Sequence, residues 1–331
     1  MTAISVILTV NTHLTSVLCI VPNSLVIYFI LTTSHTEIYA FRWILAVQSV
    51  LEVLTCVNLS LLDLGVLQYT KAVYFVEKGI WSLLRGSSPL IGWMLMTFLF
   101  VNNNFFVLFL FTFRYAYICN NYFLKRLFTI PGAFLVIGVV VMISVATGVA
   151  SAFNATVDHY PEFDDIFEQN DLTVMTFNKH PTGVGIAIAM VLGGIIVGTY
   201  CVVFFTSTRI VRITKAAAVS EKTRRIQRQL TTVMLLQALL PFFFVTLPLA
   251  LLFIFAVTPI NLGEYASIVS VLFNWEPCAH PFIALYFVQP FRKRISRFLS
   301  VATLRHLVCG NGFGSGVTTV KPAPWTLSSI S

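Results

Sequence analysis

Seven runs of roughly 20 to 30 residues between Ile4 and Gln289 are almost free of charge, and polar, basic segments separate them. They cover 4–32, 39–62, 89–113, 128–152, 182–207, 230–258 and 265–289. A hydrocarbon core about 30 Å thick is crossed by about 20 apolar residues at 1.5 Å rise per residue, so each run predicts one crossing. Only helices, or closed barrels, satisfy their backbone groups without water. The predicted fold is therefore all-α, a seven-transmembrane helix bundle.

Charge then orients the bundle, because cytoplasmic connections keep an excess of Lys and Arg. Segments 33–42, 114–126, 208–229 and 290–331 hold 17 Lys and Arg against Glu37 and Glu221. The opposite side holds Lys71, Lys78, Arg85 and Lys179 against nine acidic residues. This places the N-terminus outside and the C-terminus inside. The net charge of +8 is thus a topology signal, and nucleic acid is an unnecessary partner. Only 10% of residues are charged, far below the roughly 25% of soluble domains. The first Lys or Arg is Arg42, so the first run lacks a signal peptide's basic start and reads as a span.

After Pro290, the residues Phe291, Ile295, Phe298, Leu299 and Ala302 form an apolar stripe between Arg292, Lys293, Arg294 and Arg297. That pattern predicts an amphipathic helix over about 290–308, lying on lipid at the inner leaflet. The domain is expected to comprise 1–308, with 309–331 a disordered cytoplasmic tail rich in Gly, Ser, Thr and Pro. Cys309 follows the surface helix and is a palmitoylation candidate. The other five cysteines, Cys19, Cys56, Cys119, Cys201 and Cys278, lie in or near spans and are expected to act as small packing residues. In the outer segment 153–180, Asn154-Ala155-Thr156 is a glycosylation candidate, and Asn58 matches the same pattern inside the second span. Six acidic residues in that segment fit a solvated face or the attraction of cationic ligands.

Chemistry has to come from polar groups inside the membrane, where each costs free energy unless paired or facing a cavity. Glu52 lies near the middle of the second span, Glu276 and His280 one turn apart on the seventh, and Asn102, Asn103 and Asn104 in the third. A polar contact between Glu52 and His280 is expected to link those two spans. Spans five to seven contain no Lys for a retinal Schiff base, and His280 is the one His deep in the core, which argues against a metal hydrolase. Neither an enzyme nor a cofactor or metal is indicated. Gly193, Gly194 and Gly198 on the fifth span are expected to allow close helix packing. They have no counterpart of the kind a transporter repeat would show.

Short patterns at the inner helix ends carry a resemblance. The third span ends Phe113-Arg114-Tyr115, the sixth holds Gln237 to Pro241 and Pro248, and the seventh reads Pro277-Cys278-Ala279-His280-Pro281 before Pro290-Phe291-Arg292. Ser220 to Leu230 precedes the sixth span. Together with Glu52 and Asp63 these residues resemble the Str superfamily of nematode serpentine chemoreceptors, nearest the Str group. The resemblance implies a rhodopsin-like GPCR architecture and a chemosensory receptor for an odorant-like or soluble small molecule. It also implies signalling to a heterotrimeric G protein from the plasma membrane of a chemosensory cilium. Arg114 and Tyr115 stand where rhodopsin-type receptors carry their Arg-Tyr pair, with Thr112 and Phe113 in place of an acidic partner. His280 replaces the usual Asn or Asp before Pro281.

Lys222, Arg224, Arg225 and Arg228 join Arg114 and Tyr115 as the expected G-protein surface. A mostly apolar ligand cavity is expected among Phe100, Asn103, Phe106, Phe242, Phe243, Trp275 and Glu276. The alternative function class is a seven-helix transporter or ligand-gated channel.

Overall fold

The computed structural model describes residues 3–32, 39–69, 72–84, 88–158, 173–177, 183–216, 231–232, 234–258, 260, 262–287, 292 and 294–296. Seven helices among these are long and apolar enough to cross a membrane. Five are α1 Ala3–Thr32, α2 Tyr39–Leu62, α3 Ser88–Ile118, α4 Ile130–Asn154 and α5 Gly183–Ala216. The sixth crossing, α6, runs through residues 234–241, a π-helical turn at Phe242–Thr246 and Leu247–Val257. The last, α7, is Ile268–Phe287 and follows a 3₁₀ turn at Glu264–Ser267. Helices α3 and α5 continue past the apolar runs that predicted them, because i→i−4 bonding does not stop where hydrocarbon stops.

Hydrophobicity does not tell a membrane helix which face to bury, since lipid is as apolar as Leu; small and polar residues do. On α1 the buried positions Ser5, Leu8, Thr12, Thr15, Cys19, Asn23 and Val26 recur every three or four residues and form a seam against α2 and α7. The most enclosed crossing is the seventh, 61% buried, and the most peripheral is the fifth, at 11%. Helix α3 packs on α2, α4 and α5.

The fifth crossing corrects the expectation for its glycines. Among the described residues a Cβ added at Gly193, Gly194 or Gly198 would meet nothing within 4 Å, so these glycines face open space and no neighbouring helix packs on them.

At the end of the bundle where α1 begins, two connections form a four-stranded antiparallel sheet that the sequence pattern did not predict. Strands β1 Leu64–Tyr69 and β2 Ala72–Glu77 form a hairpin between α2 and α3; β3 Ala155–Asp158 and β4 Thr173–Phe177 come from the connection between α4 and α5. Their order is β1-β2-β4-β3, with Tyr74 opposite Thr176 and Glu77 opposite Thr173. One set of side chains, Leu64, Val66, Phe75 and Met175, packs on Val245 and Leu252 of α6 and on Val269 and Phe273 of α7. Another, Leu67, Tyr74, Val76 and Val174, packs on Leu8 of α1.

Three contacts fasten this sheet. Gln68, wholly buried, donates to the Ile260 carbonyl at 3.1 Å and accepts from the Leu262 backbone N–H at 2.7 Å, while its backbone bridges Gly263. Lys78 pairs with Asp63 at 3.4 Å, and Thr9 of α1 donates to the same carboxylate at 3.1 Å. Gly79 lies against α2 so closely that an added Cβ would fall 2.1 Å from the Leu61 carbonyl oxygen. Only Gly fits there.

At the opposite end, Arg294 donates to Thr32 through Nη1 at 2.6 Å and Nη2 at 3.0 Å, and Ile295 packs on a cluster containing Phe29 and Leu285. These residues belong to the expected surface helix. Apart from Arg292 and Ser296, the rest of it lies outside the described residues, as do Lys222 to Arg228, Cys309, the tail and the acidic run beyond Asp158.

Candidate functional site

Polar groups converge in the middle of the bundle, where α1, α2 and α7 meet. Glu52 Oε1 lies 2.8 Å from His280 Nδ1, and Gln48 Nε2 lies 2.7 Å from the same nitrogen. Glu276 Oε1 stands 3.6 Å from His280 Nε2. All four side chains are buried. A ring nitrogen has one lone pair or one proton, so Nδ1 either accepts from Gln48 or donates to the Glu52 carboxylate. The cluster therefore has two hydrogen-bond arrangements within one geometry. Helix position explains the convergence: Gln48 and Glu52 are four residues apart on α2, as are Glu276 and His280 on α7.

Toward the sheet, the α1 seam continues the network. Asn274 Nδ2 donates to Thr12 Oγ1 at 3.1 Å, and Trp275 Nε1 to Asn11 Oδ1 at 3.0 Å. Cys278 Sγ contacts the Thr15 carbonyl oxygen at 2.9 Å. Beside it, Cys19 of α1 and Cys56 of α2 are joined in a disulfide. Sequence alone suggested separate packing residues here. The bond forms inside the bundle because Cys19 and Cys56, 37 residues apart in sequence, meet at one depth with their Cα atoms 6.6 Å apart.

Arg114 occupies the opposite end of α3. It is 1% exposed, and its Nη1 lies 3.0 Å from Met234 Sδ on α6. Tyr115, next in the chain, lies with its ring centroid 6.0 Å from that of Phe205 on α5. Arg114 and Tyr115 thus contact α6 and α5 respectively.

The seven residues considered for a ligand cavity fall into separate settings. Phe100 packs with the core under the sheet, and Asn103 Nδ2 donates to Thr55 Oγ1 on α2 at 3.0 Å. Phe106 pairs with Phe109 at 6.3 Å. Phe242 lies edge-on to Tyr200 of α5 at 5.6 Å, and Phe243, edge-on to Phe242, is 54% exposed. Trp275 and Glu276 belong to the α1–α2–α7 centre. Asn154 ends α4 with Nδ2 donating to the Ala150 carbonyl at 3.0 Å, whereas Asn58 is buried on Gly92.

A family model described as the serpentine type seven-transmembrane GPCR chemoreceptor Srd matches residues 8–297. The chain belongs to the Srd chemoreceptor family. The match takes in most of the first crossing, the other six and the beginning of the segment after α7. No curated protein matches the chain. The protein is a multi-pass chemosensory receptor of the G-protein-coupled type, from a family of receptors. The nearer resemblance to the Str group is corrected: the matching group is Srd, within the serpentine chemoreceptors.

Several residues of this Srd receptor were missed from sequence although a signal existed. Gln48 lies one helical turn from Glu52, on the same face. The α1 stripe Thr12, Thr15, Cys19 and Asn23 is the polar seam of an otherwise apolar helix. Met234 carried no signal, because a thioether beside a guanidinium is set by packing between helices.

Proposed function

We propose that this receptor binds a small, mostly apolar molecule and passes the signal to a heterotrimeric G protein at the Arg114 end of the bundle, which faces the cytoplasm. The N-terminus and sheet then face outward, in keeping with the distribution of Lys and Arg. The receptor's place is the plasma membrane, in the sensory cilium that the family's chemosensory role suggests. The observation that supports coupling most directly is the burial of Arg114 beneath Met234. A guanidinium at that depth is costly unless its contacts hold, and α6 is the element lying over it. An outward swing of α6 would uncover Arg114 and Tyr115 for the partner, with Lys222, Arg224, Arg225 and Arg228 adding positive charge.

Ligand contact is drawn from the set Phe100, Asn103, Phe106, Phe242, Phe243, Trp275 and Glu276, of which the exposed Phe243 lies on the outer face of α6, and the Glu52–His280 contact transmits it between α2 and α7. Glycosylation at Asn154 and acylation at Cys309 fit the same orientation.

The test is Arg114→Ala. The variant should reach the cell surface and bind agonist within about twofold of wild type, while agonist-driven nucleotide exchange on the G protein falls at least about tenfold, which is about 1.4 kcal/mol of activation free energy. Full exchange by a well-expressed Arg114→Ala receptor would remove the assignment. A ligand-gated current without exchange would favour the channel class.

A further inference from the structure

Three cysteines from three different helices converge at one point in the middle of the bundle. The Sγ atoms of Cys19 on α1, Cys56 on α2 and Cys278 on α7 all lie within 4.8 Å of one another. Their residues are 0%, 3% and 0% exposed. We propose that, when the Cys19–Cys56 disulfide is reduced, these sulfurs form a binding site for a soft monovalent d¹⁰ cation of the copper(I) class.

Geometry and charge both favour that class. Sulfur ligands at about 2.3 Å in a trigonal plane lie about 4.0 Å apart, inside the 4.8 Å within which all three sulfurs fall, so side-chain rotation of Cys19 and Cys56 suffices once they are no longer joined. Soft sulfur donors select copper(I) over hard cations. In hydrocarbon the occupied site has to be nearly neutral. A monovalent ion held by one thiolate and two thiols meets that condition, and its binding releases one proton. Zinc would call for a fourth donor, and among the described residues no His or carboxylate atom joins the three sulfurs. The Thr15 carbonyl oxygen accepts from the Cys278 thiol at 2.9 Å and orients it, and those of Glu52 and Pro277 lie 3.6 and 3.7 Å from Cys19 Sγ, within reach of its thiol once the disulfide is reduced.

The site is gated by oxidation state. The disulfide removes two of the three donors; reduction by two equivalents of a thiol, which leave as their own disulfide, restores both as thiols. A bound cation would tie α7 to α1 and α2 beside the Glu52–His280 contact.

The test uses the full-length receptor purified in detergent under anaerobic conditions, reduced with a phosphine that is then removed. Titration with copper(I) against a competing chelator should give one ion per receptor, with a sulfur-to-copper absorption band in the near ultraviolet. Receptor oxidised with diamide should bind none, and Cys278→Ser should lower affinity at least tenfold, while Cys201→Ser leaves it unchanged. Peptide mass spectrometry on wild type alone provides a second measurement: copper(I) should protect Cys19, Cys56 and Cys278, but not Cys201, from a membrane-permeant maleimide. If the variants do not fold, that protection pattern decides. Substoichiometric binding, or equal labelling of the three cysteines with and without copper(I), would overturn the proposal.

Discussion

Glu77 and Lys78 are neighbours in sequence with opposite solutions to the same burial. Lys78 has Asp63, which opposes the downward push of burial on its amine. Glu77 is wholly enclosed between Leu64 and Thr173, and neither carboxyl oxygen has a hydrogen-bond partner among the described residues. Burial pushes its carboxyl from near 4.5 up to about 9. Because the folded value is raised, the folded state binds the proton more tightly than the unfolded chain. Its contribution to stability is complete below the unfolded value and declines as pH rises toward about 9, by at most about 1.4 kcal/mol per pH unit. Glu77→Gln removes that penalty. In thermal melts of purified receptor the variant should melt several degrees higher at pH 8, with the difference shrinking toward pH 5. A pH-independent difference would show that the proton is held elsewhere.

Among the elements, α6 departs most from regular geometry, and its cause is one residue. Pro248 has no N–H to offer the Phe244 carbonyl one turn earlier, and its ring crowds that carbonyl; the chain answers with the π-helical turn Phe242–Thr246. Such a turn is a natural hinge. Pro248→Ala should therefore straighten and stiffen α6, raising the melting temperature while agonist-driven nucleotide exchange falls several-fold at unchanged surface expression. Undiminished exchange would place the hinge elsewhere. The seven crossings were legible because hydrocarbon acts on composition alone, and Glu52 and His280 stood out because polar groups at that depth are rare. The strands were not legible. Leu64–Tyr69 is buried along nearly its whole length and reads as a continuation of the second apolar run, and its partners lie in other connections. Gly193 was misread for a related reason: a small residue on a membrane helix marks either a close neighbour or none.

For the whole molecule, the charge count makes a prediction independent of every side-chain contact. An epitope tag at residue 1 should stain on intact cells, and one at residue 331 only after permeabilisation. The reverse pattern would put Arg114 outside and end the coupling proposal, while leaving the bundle itself untouched. The sulfur cluster shows what sequence withholds at this scale. Cys19, Cys56 and Cys278 are ordinary residues singly, and only the rotation of three helices about their axes decides whether they meet.

The sheet also dictates an order of events in synthesis. Strand β2 finds β1 as soon as both exist, but its other edge waits for Thr173–Phe177, about 100 residues later, which at roughly 5–20 residues per second means an interval of about 5–20 s. Throughout that interval α3 and α4 have to enter the membrane beside an open strand edge. A chain stopped before Thr173 keeps the edge exposed for good. One stopped between Phe177 and Ile260 closes the sheet but leaves the Gln68 side chain without the carbonyl and N–H that hold it in the finished receptor.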